Sequence, residues 1–487
     1  VTGVVAVALR IEQRALRQLT DVPVVRIGMG RKARVPAGSA PLLLAGVGGG
    51  LQPEVRPGHV VVASEVVDGD TRTPVPSAVL LARSLRRLGL TVHVGPIASS
   101  TTVVTGAARE RLAASGALAV DMESAALVAS GRPFAIVRVI VDGVDAPLVH
   151  PGTVTRGITG LRTLARLAPA LREWAEAAES AREVVLAGPR SFCAGVERAI
   201  DIVERALERY GSPVYVRRQI VHNAHVVADL QRRGAVFVQE VAEVPRGAWV
   251  VLAAHGVSPA VRRQAEERDL QVIDATCPLV AKVHNEVRRY VHLRDTVFLI
   301  GHAEHEEVEG TVGEAPDRVI VIPDVATART VEPVDPTRVA YVMQTTLAVD
   351  EAEEIASVLR ERFPGLAAPR RDDICYATTN RQAAVRAVAA ESDLVVVVGS
   401  ANSSNSRRLV EVAERAGTPA HLVEDAGEID LDWLAGARRI GVTAGASAPP
   451  QLVEELVKSL HGLGPVHTRE LRVATEQIRF TLPREVV

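Results

Sequence analysis

Cysteine is nearly absent: 487 residues contain three, Cys193, Cys277 and Cys375. So small and odd a number argues against a disulfide framework and for the reducing cytoplasm. Aromatic residues make up only 3%, so recognition of nucleic-acid bases by stacking is not expected. An excess of either sign of charge is also missing. The formal net charge of −2 gives no pull toward nucleic acid or an anionic membrane. No apolar run approaches the roughly 18–20 residues of a membrane-spanning helix. The opening VTGVVAVALRIEQRAL has no basic leader and is interrupted by Arg10 and Glu12, so no signal peptide is expected. There is no C-x-x-C pair, and no G-x-G-x-x-G motif for a nicotinamide cofactor.

What is present is a steady alternation of apolar strand-like runs and helix-like stretches. The runs are VVAVAL, PLLLAGV, HVVVASEV, FAIVRVIV, VVLAG, WVVLAAHG, VFLIG, VIVIP, VAYVM, LVVVVGS and IGVTAG. This βα alternation predicts an α/β fold of parallel sheets flanked by helices, with function at the C-terminal ends of strands. A chain of this length needs more than one domain. Leu161, Leu164, Leu167, Leu171 and Trp174 at helical spacing, then the polar AEAAESARE, read as a terminal helix running into a linker. The division is therefore a first domain over 1–175, a linker over 176–183, a second unit over 184–464 and an extended tail over 465–487. The cysteines split the second unit into three lobes, about 184–275, 276–370 and 371–464.

The three cysteines fall one to each lobe. Three thiolates from three segments suit a cluster or metal at the meeting point of the lobes, with one coordination position left open. Polar motifs sit at strand ends beside them: QIVHN, AHGVS, GHAEHEE, QTT, GSANSSNS and TAGASAP. Seven of the thirteen histidines lie between His222 and His305. Hydroxyl, amide and imidazole donors of this kind can wrap a diphosphate, especially at helix N-termini. A carboxyl group among histidines suits a proton donor. Each motif also has a plainer reading. A buried cysteine is often only a small apolar residue, and Ser-Ser-Asn-Ser is often only a helix cap. His302-x-x-His305 lacks the partner pair a zinc site would need, and His284 and His292 read as surface residues of a helix.

Taken in order, FCAGVERAI, VHN, AHGVS, DATCPLV, EVEGT, QTTL, DDICYATTNRQ, GSANSSNS and VTAGASAP resemble the 4-hydroxy-3-methylbut-2-enyl diphosphate reductases, the LytB/IspH family, over about residues 184–487. The resemblance implies three α/β lobes around a central [4Fe–4S] cluster held by Cys193, Cys277 and Cys375. It implies substrate binding by His222, His255, His305, Ser403, Ser404, Asn405 and Ser447. Thr345 would lie near the substrate hydroxyl, and Glu307 would deliver protons. It also implies a ferredoxin or flavodoxin-like electron donor. Glu306 stands where many relatives have proline.

The first domain resembles a different family, the nucleoside phosphorylases and nucleosidases, through AVDMESAA and RVIVD. The segment GVGGGLQPEVRPGHVVVASEV is similar to the branch found with hopanoid biosynthesis. The resemblance implies a ribose grip by Met122 and Glu123, action of Asp142 on the purine, and a match of Glu12 to an N-terminal acidic residue. Two departures are Val141, where relatives often have serine, and a short stretch between Gly28 and Leu42. Three readings stay open: a reductase with a degenerate first domain, a bifunctional enzyme that also cleaves an N-glycosidic bond, and an iron–sulfur carrier or sensor without a substrate.

Overall fold

The computed structural model describes residues 3–146, 151–178, 181–294 and 296–487. Parts of the expected first domain (1–2 and 147–150), two residues of the expected linker (179–180) and Asp295 of the expected second lobe lie outside the described residues. All eleven apolar runs named above are strands. They are rich in valine, isoleucine and leucine, whose branched side chains suit a strand covered on both faces. Leu394–Val398, Thr296–Ile300 and Val339–Met343 are buried along their whole length.

An eight-stranded mixed sheet dominates the N-terminal part. Leu42–Gly50 pairs in parallel with Phe134–Asp142, which turns its other edge antiparallel to Val60–Asp68. Gly48 and Gly49 bring backbone against Arg138 and Asp142, where a Cβ atom would stand 3.1–3.2 Å from those side chains.

Three further sheets follow. The first runs in the order Ala235–Val238, Val214–Arg217, Trp249–Leu252, Gln271–Asp274 and is parallel throughout. The second runs Val319–Ile322, Thr296–Ile300, Val339–Met343, again parallel. The third runs Ala420–Val423, Leu394–Val398, Arg439–Ala444, Arg182–Gly188, Val466–Arg472. Separate apolar clusters flank the first two sheets, around Val203 and Val250 in one and around Phe298 and Val287 in the other.

The chain forms two compact units: Val1–Val185 with Asp425–Ile440 and Gln451–Arg469, and Leu186–Glu424 with Gly441–Pro450 and Glu470–Val487. Membership is therefore interleaved along the chain. Arg182–Gly188, expected at the end of the linker and the start of the first lobe, pairs within the last sheet instead. The expected tail begins as the strand Val466–Arg472 in that sheet. It ends with Val486 buried in the core of the first of the three sheets.

Candidate active site

All three cysteines occupy the same kind of position: each is the N-cap of a helix. Cys193 precedes Ala194–Tyr210, Cys277 precedes Pro278–Leu293, and Cys375 precedes Tyr376–Ala389. Proline at the first position of the second helix suits its start, where an N–H would go unused. Each cysteine N–H is also tied to one of the polar motifs. Cys193 donates to the carbonyl of Ala446 (3.3 Å), Cys277 to that of Ala254 (2.9 Å) and Cys375 to that of Thr345 (3.1 Å). Strand ends and helix starts thus hold the thiols from both sides, and all three line one cavity.

The positive ends of three helix dipoles favour negative charge at the sulfurs. Burial works against it, pushing the Cys277 thiol up to about 12 and the Cys375 thiol up to about 11. A bound cation is what would displace those protons. Among the described residues, two groups of three acidic, histidine or cysteine donors have all their donor atoms within 4.8 Å of one another: His222–His255–Glu306 and Glu173–Asp430–Asp432. The three thiols are not such a group. A single ion with metal–sulfur bonds of about 2.3 Å could not reach all three, so the set fits a larger multinuclear group. Gly195 clears the space: a Cβ there would stand 2.8 Å from the Cys277 sulfur and 3.8 Å from that of Cys193.

The same cavity is lined by His222, His255, His305, Glu307, Thr345, Ser403, Ser404, Asn405 and Ser447, so every residue expected of the reductase site converges. Glu307 is buried, in the first turn of the helix Glu306–Val312. Thr345 holds it twice, its N–H donating to Oε1 (2.7 Å) and its hydroxyl to Oε2 (3.0 Å). Burial raises the proton affinity of Glu307, and the two Thr345 bonds only partly oppose that. Cys375 and Glu307 are linked through Thr345, whose carbonyl takes the cysteine N–H and also the Thr378 hydroxyl (3.0 Å).

The imidazoles of His222 and His255 stack with centroids 4.1 Å apart, and His305 stands edge-on to both. Burial drives His222 and His305 down to about 3, so both are neutral at pH 7. Nδ1 of His305 accepts the Glu307 N–H at 3.2 Å, which leaves Nε2 to carry the ring proton. Ser403 caps the helix Ser404–Arg415 by accepting the Ser406 N–H. Asn405 accepts the Ala446 N–H (3.0 Å), and Ser447 donates to the His222 carbonyl (3.0 Å). The cavity therefore offers N–H and O–H donors at a helix N-terminus, a carboxyl group held by neutral partners, and three thiols.

Several contributors were not singled out from the sequence. Glu306, noted above only as standing in place of a proline, lies beside the cavity with Oε2 3.5 Å from Nδ1 of His255. Burial alone would raise its proton affinity, but His255 and its neighbours bring it down to about 2. Arg381 is fully buried and clamps the carbonyls of Ser191 (2.6 Å) and Phe192 (3.1 Å), with Glu476 as counterion (3.0 Å). It locks the loop before Cys193 to the helix after Cys375. Thr378 touches the Cys375 sulfur at 3.1 Å. Arg381 and Thr378 both lie within the segment DDICYATTNRQ, but their roles depend on a helical turn that only the fold supplies. His284 corrects the surface reading: it is buried, with Nδ1 2.8 Å from Glu314. His292 is exposed, as expected.

A second cavity, of about 250 Å³, gathers Glu12, Met122, Glu123 and Asp142 in the N-terminal unit. Arg138, fully buried, bridges Glu123 (2.9 Å) and Asp121 (2.6 Å). Arg109 bonds Asp142 at 2.5 Å. Both oxygens of Glu12 accept backbone N–H groups, from Ala8, Leu9 and Val47, so Glu12 also braces the cavity floor.

Fold and site together define an α/β protein that brings three helix-capping thiols and a buried acid to one cavity. The family model described as "LytB protein" matches residues 184–461, and the chain belongs to that family. A second model, "Phosphorylase superfamily", matches residues 2–171. Over 306 residues the chain is 56% identical to the 4-hydroxy-3-methylbut-2-enyl diphosphate reductase of Leifsonia xyli subsp. xyli, spanning 63% of this chain and 91% of that relative. Over 307 residues it is 54% identical to 4-hydroxy-3-methylbut-2-enyl diphosphate reductase 1 of Mycobacterium tuberculosis, spanning 62% and 93%. Among solved structures it is similar to the E-1-hydroxy-2-methyl-but-2-enyl-4-diphosphate reductase from Plasmodium falciparum: TM-score 0.60 and 34% identity, over 63% of this chain and 96% of that one. Among the described residues no helix is long and apolar enough to cross a membrane.

Proposed function

We propose that the chain removes the hydroxyl group of 4-hydroxy-3-methylbut-2-enyl diphosphate reductively, giving isopentenyl and dimethylallyl diphosphate, the last step of the methylerythritol phosphate route. The observation that carries this reading is the Glu307–Thr345 pair in the same cavity as the three thiols. Identity above 50% to reductases over these residues supports it. Cys193, Cys277 and Cys375 would hold one [4Fe–4S] cluster, which when bound supplies electrons and Lewis acidity.

The protein's own residues do the rest. Ser403, Ser404 and Asn405 donate to the diphosphate at the start of a helix, where the backbone favours an anion, and Ser447 joins them from the loop after Arg439–Ala444. His222, His255 and His305 add imidazole N–H donors. Hydroxide is a poor leaving group, so the allylic hydroxyl must leave as water. Glu307, whose hold on a proton burial strengthens, gives up that proton, and Thr345 fixes the direction of its carboxyl group. The reaction takes up two electrons and two protons: one proton departs in the water, and the other ends on either terminus of the allyl unit, giving the two products. A ferredoxin or flavodoxin-like protein would be the electron donor, and the cytoplasm the compartment.

The test is anaerobic turnover by the reconstituted protein with a reduced viologen dye. Formation of both five-carbon diphosphates is the expected result. An intact cluster without turnover would overturn the reading and favour an iron–sulfur carrier or sensor.

For the N-terminal unit we infer a nucleoside site, because Glu12, Met122, Glu123 and Asp142 converge on one cavity. Release of free base from a purine nucleoside, with or without inorganic phosphate, is the expected result. No release by a protein that turns over the diphosphate would leave this unit a stabilising domain.

A further inference from the structure

Beside the inner cavity runs an open groove of about 760 Å³, which shares His222, His305 and Ser404 with it. Among the described residues the inner cavity is lined by no arginine or lysine, its His222 and His305 are neutral, and the nearby Glu306 of the groove is ionised. A diphosphate, with about three negative charges at neutral pH, needs compensation that serines and neutral imidazoles give only as dipoles.

Three arginines line the groove. Arg218 is paired with Glu309 (2.7 Å) and Glu240 (3.2 Å). Arg408 is paired with Glu351 (2.9 Å) and Glu411, and meets His302. Arg407 is exposed, and its side chain makes no hydrogen bond or ion pair with the described residues. It lies in the first turn of the helix Ser404–Arg415, immediately after the Ser403–Ser406 run. Its charge reaches His222, His302 and His305, whose protonation it opposes. Glu304 and Glu306 are the facing carboxylates of the groove, besides Glu411, which Arg408 holds.

We propose that Arg407 is the capture residue for the diphosphate, meeting it in the outer groove and pairing with its terminal phosphate as the inner serines and histidines take hold. The proposal rests on the reductase reading and adds a binding residue to it. An uncommitted guanidinium at the mouth of a cavity raises the local concentration of an anion and its rate of entry. Because Arg407 sits outside the inner cavity, it acts on capture and not on the chemical step.

The experiment compares wild type, R407Q and R407K as cluster-containing full-length protein, at low and high salt. R407Q is expected to lose about tenfold in kcat/KM at low salt, with kcat within about twofold. The gap should narrow near 0.5 M salt, where charges are screened beyond a few ångströms, and R407K should recover most of the loss. Calorimetry with inorganic diphosphate supplies a readout independent of turnover. Weaker binding by R407Q supports the proposal even if the substrate is never reduced. Equal binding by wild type and R407Q, an unchanged kcat/KM at low salt, or an equal fall in kcat would overturn it. Wild type that binds no diphosphate and shows no turnover would remove the proposal and the reductase reading together.

Discussion

The two cavities of this chain each bury carboxyl groups, and they handle them in opposite ways. Among the described residues the Glu307 carboxyl group accepts hydrogen bonds from the neutral donors of Thr345, at 2.7 and 3.0 Å. Glu123 and Asp142 each meet a guanidinium, at 2.9 and 2.5 Å. Burial raises the proton affinity of Glu307 and of Glu123 alike, but at Glu123 a fully buried arginine pulls back. Neutral neighbours leave the burial of Glu307 little opposed, whereas the guanidinium beside Glu123 works against the burial that raises its proton affinity. The difference fits the proton delivery proposed for the first cavity and the ligand-positioning role proposed for the second.

The largest expected effect comes from the thiols. Replacing Cys375 with serine should lower turnover by ~10³ or more, since each factor of ten needs only about 1.4 kcal/mol. Iron content and visible absorption should fall with it; full iron with lost activity would contradict a ligand role. Gly195→Ala is expected to act on the same property more mildly. A Cβ 2.8 Å from the Cys277 sulfur should reduce iron retention and make the protein easier to strip with a chelator. Unchanged stripping kinetics would mean that Gly195 does not clear the thiol site.

Thr345→Val removes one hydrogen bond to a buried carboxyl group, worth about 1–3 kcal/mol, so kcat should fall roughly tenfold. It also has a pH signature. The acid works while protonated, so activity is present below its pKa and lost as pH rises through it. The Thr345 hydroxyl lowers that pKa, so removing it should move the alkaline limb of the kcat profile to higher pH. A shift to lower pH would break the assignment. The smallest effect on reduction belongs to Asp142→Asn, which leaves Arg109 without its carboxylate. Reductase kcat/KM should stay within about twofold, while thermal melting detects a loss on the order of 1 kcal/mol.

Much of this was legible in the sequence because it is carried by local patterns. All eleven apolar runs became strands, and every residue expected of the reductase site faces one cavity. Short strands such as Val214–Arg217 and Ala235–Val238 were not read, since four residues give too little periodic signal. Strand order was equally silent. That Arg182–Gly188 pairs beside Val466–Arg472 is a long-range fact with no local trace. His284 was misread because a histidine in a polar, amphipathic helix reads as exposed. Its burial comes from Glu314 and from two glycines, Gly256 and Gly310, that let the ring lie against backbone. The buried Arg381 escaped notice for the converse reason: arginine is seldom buried unless paired, and its partners lie far along the chain.

The most direct test of the central claim is anaerobic turnover of 4-hydroxy-3-methylbut-2-enyl diphosphate by wild type and Glu307→Gln protein of equal iron content. The account predicts that kcat falls about 10²–10⁴-fold in the variant, as expected for loss of a general acid, while diphosphate binding is retained. Comparable kcat in the two proteins would contradict it and move the proton donor to another group of the cavity.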